Sequence, residues 1–263
     1  MRKACVLVFA GLDPSGGAGI QADITAIAAF GAHALPIVTT LTVQDNDRVY
    51  AIHPVDAKLI REQADVLCAK IAVAAVKIGI VGSRDNAQAI AEVIQRLRTR
   101  NPALPVVLDP VLASGHGDPL ARDNAVAALE PLRRLATLIT PNIPEAALLC
   151  GGVGEVRQQG AMLLQDCPDV LIKGGHGEGE IVINHWFEKG VERCWSLPRL
   201  PGSFHGTGCT LASAIAALLA TGHSMEQAIG RAQVWCHGTL EQAYSIAEGQ
   251  RIPDRINAAE EMA

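Results

Sequence analysis

The chain has 263 residues, 49% of them hydrophobic and 19% charged, which is enough apolar material for one large core and too much for a disordered segment. Lys and Arg number 22 against 27 Asp and Glu, a formal charge of −5, and aromatic residues make up only 3%. That balance argues against a nucleic-acid footprint, a base-stacking platform or a polybasic membrane surface.

The first element is the apolar run over residues 4–10. It reads as a buried strand rather than a signal peptide, because it ends at once in Gly11-Leu12-Asp13-Pro14 without a small-residue cleavage site. Further strands are expected near residues 34–42, 74–79, 105–109, 137–140 and 169–173. Helices are expected between them, near residues 18–30, 56–70, 84–99, 122–132, 143–150 and 154–166. This alternation is the pattern of βα units on a parallel sheet. Residues 180–187 and 191–197 flank Lys189-Gly190 and read as a hairpin that adds antiparallel strands at one edge. Two more helices follow, near residues 207–221 and 224–246, and residues 249–263 read as a polar tail beyond a single domain over 1–248.

The longest apolar stretch, Leu211 to Ala220, falls well short of the ~20 residues of a membrane helix. Cys5, Cys68, Cys150, Cys167, Cys194, Cys209 and Cys236 are scattered with no C-x-x-C pair, a pattern that suits reduced thiols in a cytoplasm.

Glycine is concentrated where strands end. Gly11-Leu12-Asp13-Pro14-Ser15-Gly16-Gly17-Ala18-Gly19 follows the first strand, and such glycines either make a plain tight turn or let backbone approach a ligand closely. The segment is neither G-x-G-x-x-G nor a Walker loop, so the dinucleotide and P-loop readings fail. A second cluster, His205-Gly206-Thr207-Gly208-Cys209-Thr210, runs straight into the apolar helix. Unpaired amides and the helix dipole at such a start can hold developing phosphate charge, and the same field would favour a Cys209 thiolate. A capped helix with an inert, buried cysteine is the alternative. Asp109 before Pro110, Asn142 three residues before Glu145, and Lys173 before Gly174-Gly175-His176 stand at further strand ends. Singly they read as a turn former, a helix cap with its capping-box partner and a solvated strand end. Together they lie along the edge where open α/β sheets bind ligands.

The segments Gly11 to Asp23, Thr40 to Gln44, Leu108 to Val111, Thr140 to Glu145, Lys173 to His176 and His205 to Thr210 resemble, in kind and order, the motifs of the hydroxymethylpyrimidine/phosphomethylpyrimidine kinases of thiamine biosynthesis. The resemblance implies a ribokinase-like fold, a three-layer α/β/α sandwich with a central, mostly parallel sheet and an antiparallel edge hairpin. It also implies ATP and Mg²⁺, phosphoryl transfer to 4-amino-5-hydroxymethyl-2-methylpyrimidine and then to its monophosphate, and a cytoplasmic homodimer. Carried over position by position, it puts Gly11, Asp23, Gln44 and Ile80 around the pyrimidine. Asp109, Asn142, Glu145 and Lys173 fall at the nucleotide phosphates, with Asp109 and Glu145 toward the metal. Gly206, Thr207, Gly208 and Cys209 fall at the transferred group, Cys209 standing where sugar kinases of this fold carry an aspartate base.

The chain departs from the family pattern at several places. Leu12 stands for the usual Ser, Ile80 for Met, and Ser203-Phe204 for Asn-Thr. Ala113-Ser114-Gly115-His116-Gly117-Asp118 stands for a Lys-Ser-Gly-Asp stretch, with His116 reading as an exposed loop histidine. These changes bear on substrate range more than on reaction type. A pyridoxal or pyridoxine kinase is the neighbouring alternative, since those rings are also flat and carry a primary alcohol. A ligand-binding regulator without catalysis is a third, against which stand the glycine loop, Cys209, Asp109, Glu145 and Lys173.

Overall fold

Strands that are apolar on both faces must be covered on both sides, and the central strands of this chain are of that kind. The computed structural model describes residues 2–113 and 125–257. In β1 (Cys5–Leu12) the side chains of Leu7 and Phe9 enter one core while Val6, Val8 and Ala10 enter another. The same alternation recurs in β4 (Val73–Ile78), β5 (Val106–Leu108), β6 (Leu138–Ile139) and β7 (Asp169–Ile172). These strands run parallel to one another and to β2 (His33–Gln44).

The first core is roofed by α2 (Ala57–Lys70), α3 (Arg84–Arg100), α4 (Ala125–Arg133), α5 (Ile143–Leu149) and α6 (Val156–Leu163). The second is roofed by α1 (Gly19–Ala29), α7 (Thr207–Ala220) and α8 (Met225–Glu241). Helix α7 is apolar all round and buried from Thr210 to Leu218, so it packs against the sheet with α1 and α8 on its flanks. The result is the expected three-layer α/β/α sandwich. Its predicted elements are all present among the described residues, with ends shifted by a few positions; the start expected for α4 and the loop holding His116 lie outside the described residues.

Two expectations need correction. Antiparallel strands occur at both edges, in the order β3-β2-β1-β4-β5-β6-β7-β8-β9, and not only in the hairpin of β8 (Ile181–Glu188) and β9 (Val191–Pro198). The unforeseen strand, β3 (Val49–Pro54), is half exposed and returns along β2 through a turn whose Asp45 Oδ1 accepts from the amides of Asp47 and Arg48, each at 2.8 Å. An edge strand buries too little to show a clear apolar period.

Nor do residues 249–257 behave as a free tail. Arg251 donates its amide to Ser203 O and accepts from the His205 amide, both at 2.9 Å, while Ile252 and Tyr244 bridge, and Ile252 and Arg255 are buried. A proline-containing stretch with no regular period resembles a frayed end in sequence even when a few of its side chains are deeply seated.

Candidate active site

The carboxyl ends of the parallel strands open into one cavity of about 540 Å³. At its deep end Asp109, just beyond β5, is 2% exposed and accepts from Lys173 Nζ at 2.7 Å and from Thr140 Oγ1 at 3.1 Å. Lys173 follows β7. Burial alone would lower its pKa, but Asp109 and Glu145 outweigh that effect and hold it above the ordinary lysine value. It is therefore an ammonium at neutral pH. Burial is the chief cause that lifts Glu145 to about 7, with Lys173 opposing and Asp109 adding to the rise.

Glu145 is also half of a capping box. Asn142 Oδ1 accepts from the Glu145 amide and Glu145 Oε2 accepts from the Asn142 amide, both at 2.8 Å. The cap and the cavity-facing position coexist, because the reciprocal bonds fix the first turn of α5 at the end of β6 and aim Glu145 at the Asp109 and Lys173 pair.

Helix α7 begins against the same pair. Its N-cap, Gly206, has φ of +78°, and a Cβ there would lie 2.1 Å from Gly17 O, so the close approach of the two glycine loops requires glycine. Among the described residues no side chain caps this end, and the first intrahelical bond runs from the Thr210 amide to Gly206 O. The amides of Thr207, Gly208 and Cys209 thus lack an intrahelical acceptor, on residues that line the cavity. A Cβ on Gly208 would sit 3.1 Å from Lys173 Nζ and 3.4 Å from Asp109 Oδ2, so the bare helix start rests directly on the charged pair. Amides, dipole and ammonium converge there on space suited to an anion.

Cys209 does not behave as the helix field alone suggests. Burial is the largest influence and pushes its thiol up, Asp23 and Asp109 push the same way, and Lys77 and the Gly19 amide only partly offset them. The resting group is a thiol rather than a thiolate.

Another part of the cavity lining sets neutral Gly11, Gln44 and Ile80 beside the Asp13 and His205 pair. The β1–β2 ladder shifts register between Ala10 and Gly11 and the β2–β3 ladder between Val43 and Gln44, and both Gly11 and Gln44 line the cavity beside these irregularities. Half-buried Ile80, just after β4, forms the adjoining wall. Gln44 Nε2 lies 3.3 Å from His205 Nε2, which in turn lies 2.8 Å from Asp13 Oδ2. Burial would raise the Asp13 pKa, yet its bonds to His205 and Ser15 hold it below the ordinary carboxylate value.

Asp23 is a correction. It is wholly buried, outside the cavity lining, and accepts from Lys77 Nζ and Ser213 Oγ at 2.7 Å each. Its carboxylate is engaged through Oδ1 alone, Oδ2 having no hydrogen-bond partner among the described residues. Lys77, equally buried, reaches the cavity floor itself, and Asp23 overcomes the desolvation that would otherwise lower its pKa. A lysine between Val76 and Ile78 in an apolar strand was the available signal, since a buried ammonium requires a partner. Asp13, His205 and the Asn184–Gln233 pair, joined at 2.6 Å in the cavity wall, also escaped sequence reasoning.

The architecture is shared with vitamin kinases. A Bacillus subtilis pyridoxal kinase solved as an ADP complex is similar over the whole of both chains, with a TM-score of 0.84 and 25% identity. A Clostridium difficile phosphomethylpyrimidine kinase is similar over 90% of this chain and 100% of its own, with a TM-score of 0.78 and 32% identity. Fold and site thus define a ribokinase-like small-molecule kinase, for which ATP is the phosphoryl donor. Residues 13–254 match the family model described as phosphomethylpyrimidine kinase, and the chain belongs to that family. Its curated relatives include hydroxymethylpyrimidine/phosphomethylpyrimidine kinases of Salmonella typhimurium, 36% identical over 96% of both chains, and of Rhizobium meliloti, 38% identical over 94% of both.

Proposed function

We propose that this chain transfers the γ-phosphoryl group of ATP to the hydroxymethyl oxygen of 4-amino-5-hydroxymethyl-2-methylpyrimidine, and a second phosphoryl group to the monophosphate, giving the diphosphate used for thiamine. The observation that carries this is the meeting of Lys173, Asp109 and the bare start of α7 at one end of a cavity whose other end presents Gln44. The Gln44 amide can both donate and accept, which matches a ring nitrogen beside an amino group.

In each transfer the acceptor oxygen bonds to the γ-phosphorus as the bond to ADP breaks; the hydroxymethyl oxygen of the first transfer also loses its proton, whereas the phosphate oxygen of the second is already ionised. The Thr207, Gly208 and Cys209 amides and the Lys173 ammonium face the charge that gathers on the transferred group. The Cys209 thiolate, a minor form because burial raises the thiol, receives the hydroxyl proton and becomes the thiol. A small thiolate fraction suffices because phosphoryl transfer depends mainly on positioning and charge neutralisation, so the base need act only late.

Asp109 and Glu145 are an all-oxygen donor pair suited to Mg²⁺, and burial that holds Glu145 near 7 is relieved by a cation beside it. These two residues would hold the ion, which when bound with the nucleotide neutralises phosphate charge. Asn142 keeps Glu145 in place through the cap, and Gly11 and Ile80 flank the ring.

A pyridoxal kinase is the second reading, favoured by the full-length likeness to the Bacillus subtilis enzyme. Mass spectrometry of products formed with ATP, Mg²⁺ and either the pyrimidine or pyridoxine decides between them. Successive mono- and diphosphate of the pyrimidine is the expected result, and phosphate on pyridoxine alone would overturn it. A cytoplasmic homodimer completes the proposal, its compartment supported by seven cysteines that all remain free and its assembly by the family resemblance alone. A monomer mass by light scattering would refute the dimer.

A further inference from the structure

Behind the first turn of α7 lies a charge that the reaction, as derived so far, leaves unused. After α8 the chain returns past Tyr244 and Ser203 and buries Arg255, which is 6% exposed. Its Nε donates to Thr210 Oγ1 at 2.8 Å and its Nη2 to Gly17 O at 2.5 Å. A Cβ on Gly206 would lie 2.9 Å from the same Nη2, so the guanidinium rests against the N-cap of the helix. Both hydrogen-bond partners are neutral. Among the described residues no carboxylate lies within ion-pair distance of Arg255, although Arg133, nearly as sheltered, has Asp166.

Buried cations are ordinarily paired, because desolvation costs more than neutral hydrogen bonds return. A guanidinium cannot escape by losing its proton. Burial does pull its pKa down, and the one carboxylate among the described residues that opposes this, Asp23, is already paired with Lys77. Arg255 itself does not line the cavity, whereas Gly206, Thr207, Gly208 and Cys209 do.

We infer that Arg255 is a positioning residue for phosphoryl transfer, whose missing counter-charge is the phosphate group held at the Thr207, Gly208 and Cys209 amides. The inference rests on the kinase reading and deepens it. In a low-dielectric wall the guanidinium adds to the positive end of the α7 dipole without touching the substrate. The same placement couples the docked C-terminal segment to phosphate binding, and by linkage bound phosphate stabilises that segment.

The experiment compares Arg255→Met, Arg255→Lys and Thr210→Val in the full chain. Arg255→Met should lower kcat about tenfold, equivalent to ~1.4 kcal/mol, with KM for the pyrimidine little changed, and Arg255→Lys should recover most of the loss. The rise in melting temperature produced by Mg²⁺ and the non-hydrolysable ATP analogue AMP-PCP should shrink in the Met variant and persist in the Lys variant. Thr210→Val, which keeps the charge and removes one bond that aims it, should give a smaller loss of kcat and serves if the Met variant does not fold. Wild-type kcat in Thr210→Val and in any folded Arg255→Met, or an undiminished AMP-PCP-dependent rise, would overturn the inference. The AMP-PCP measurement needs no phosphoryl acceptor. Failure of the wild-type chain to phosphorylate the pyrimidine would therefore count against the proposed function and leave Arg255 still testable.

Discussion

At the deep end of the cavity the ionisable side chains of Asp109, Lys173 and Glu145 are sheltered from water and each is tied to another group. Lys173 is bound to Asp109, Asp109 to Thr140, and Glu145 to the start of its own helix. At the ring end Gly11, Ile80 and Gln44 are neutral, and Gln44 has a 3.3 Å contact to His205. The contrast follows from solvation, since charges taken out of water must be paired and so become rigid, whereas a wall for a flat neutral ring needs only shape and one or two polar atoms. Reaction type is therefore hard to change by single substitutions at the deep end without losing it, and substrate range is open to change at the other.

The largest expected effect is at the deep end. Lys173→Met should cut kcat on the order of a thousandfold, the scale of removing one electrostatic contact to the transition state, while KM for the pyrimidine stays near wild type. Steady-state kinetics with a parallel thermal melt would separate chemistry from folding, and an equal rise in KM would erase the division between the two ends.

Next is a pH effect on stability. The folded chain holds the Glu145 proton more tightly than the unfolded chain, with a value raised from 4.5 to about 7. Its favourable contribution is thus complete below about pH 4.5 and is lost as pH rises through about 7. Glu145→Gln, which can keep the capping box, should gain stability relative to wild type between about pH 5 and about pH 8, by up to ~3 kcal/mol. A pH-independent difference in denaturant melts would show that the carboxyl is not strained by burial.

Cys209→Ala comes third, with kcat lower by about a hundredfold at the modest end of general-base catalysis. Because burial raises this thiol, the wild-type rate should climb on the alkaline side and the variant's should not. Parallel pH profiles in the two proteins would remove Cys209 from the proton transfer. Smallest is Gln44→Leu, expected to raise KM for the pyrimidine about tenfold with kcat nearly intact, the size of one lost hydrogen-bonding group. A fall in kcat without a change in KM would move Gln44 out of recognition and into the chemistry.

Much of this site was legible because its residues follow strand ends. Asp109, Asn142, Glu145, Lys173 and the glycine-led start of α7 stand where apolar runs stop, and the parallel sheet brings all such ends to one edge. Asp23 was placed wrongly for the complementary reason. It lies inside a helix, and its true partner, Lys77, is 54 residues away on a strand. The Asp13–His205 contact spans 192 residues and Arg255 to Gly17 spans 238, separations at which no local pattern records a pairing.

Alternation of apolar side chains with a period of two, and helices between the strands, determined from sequence alone that the chain forms a sheet covered on both faces with ligand chemistry at its carboxyl edge. The tertiary structure alone decided which buried charges pair, that Cys209 rests as a thiol, that β3 completes the far edge, and that the last described residues seat an arginine behind α7. Local periodicity is set by neighbours along the chain. Desolvation and charge pairing depend on distances through space, and those exist only once the core has closed.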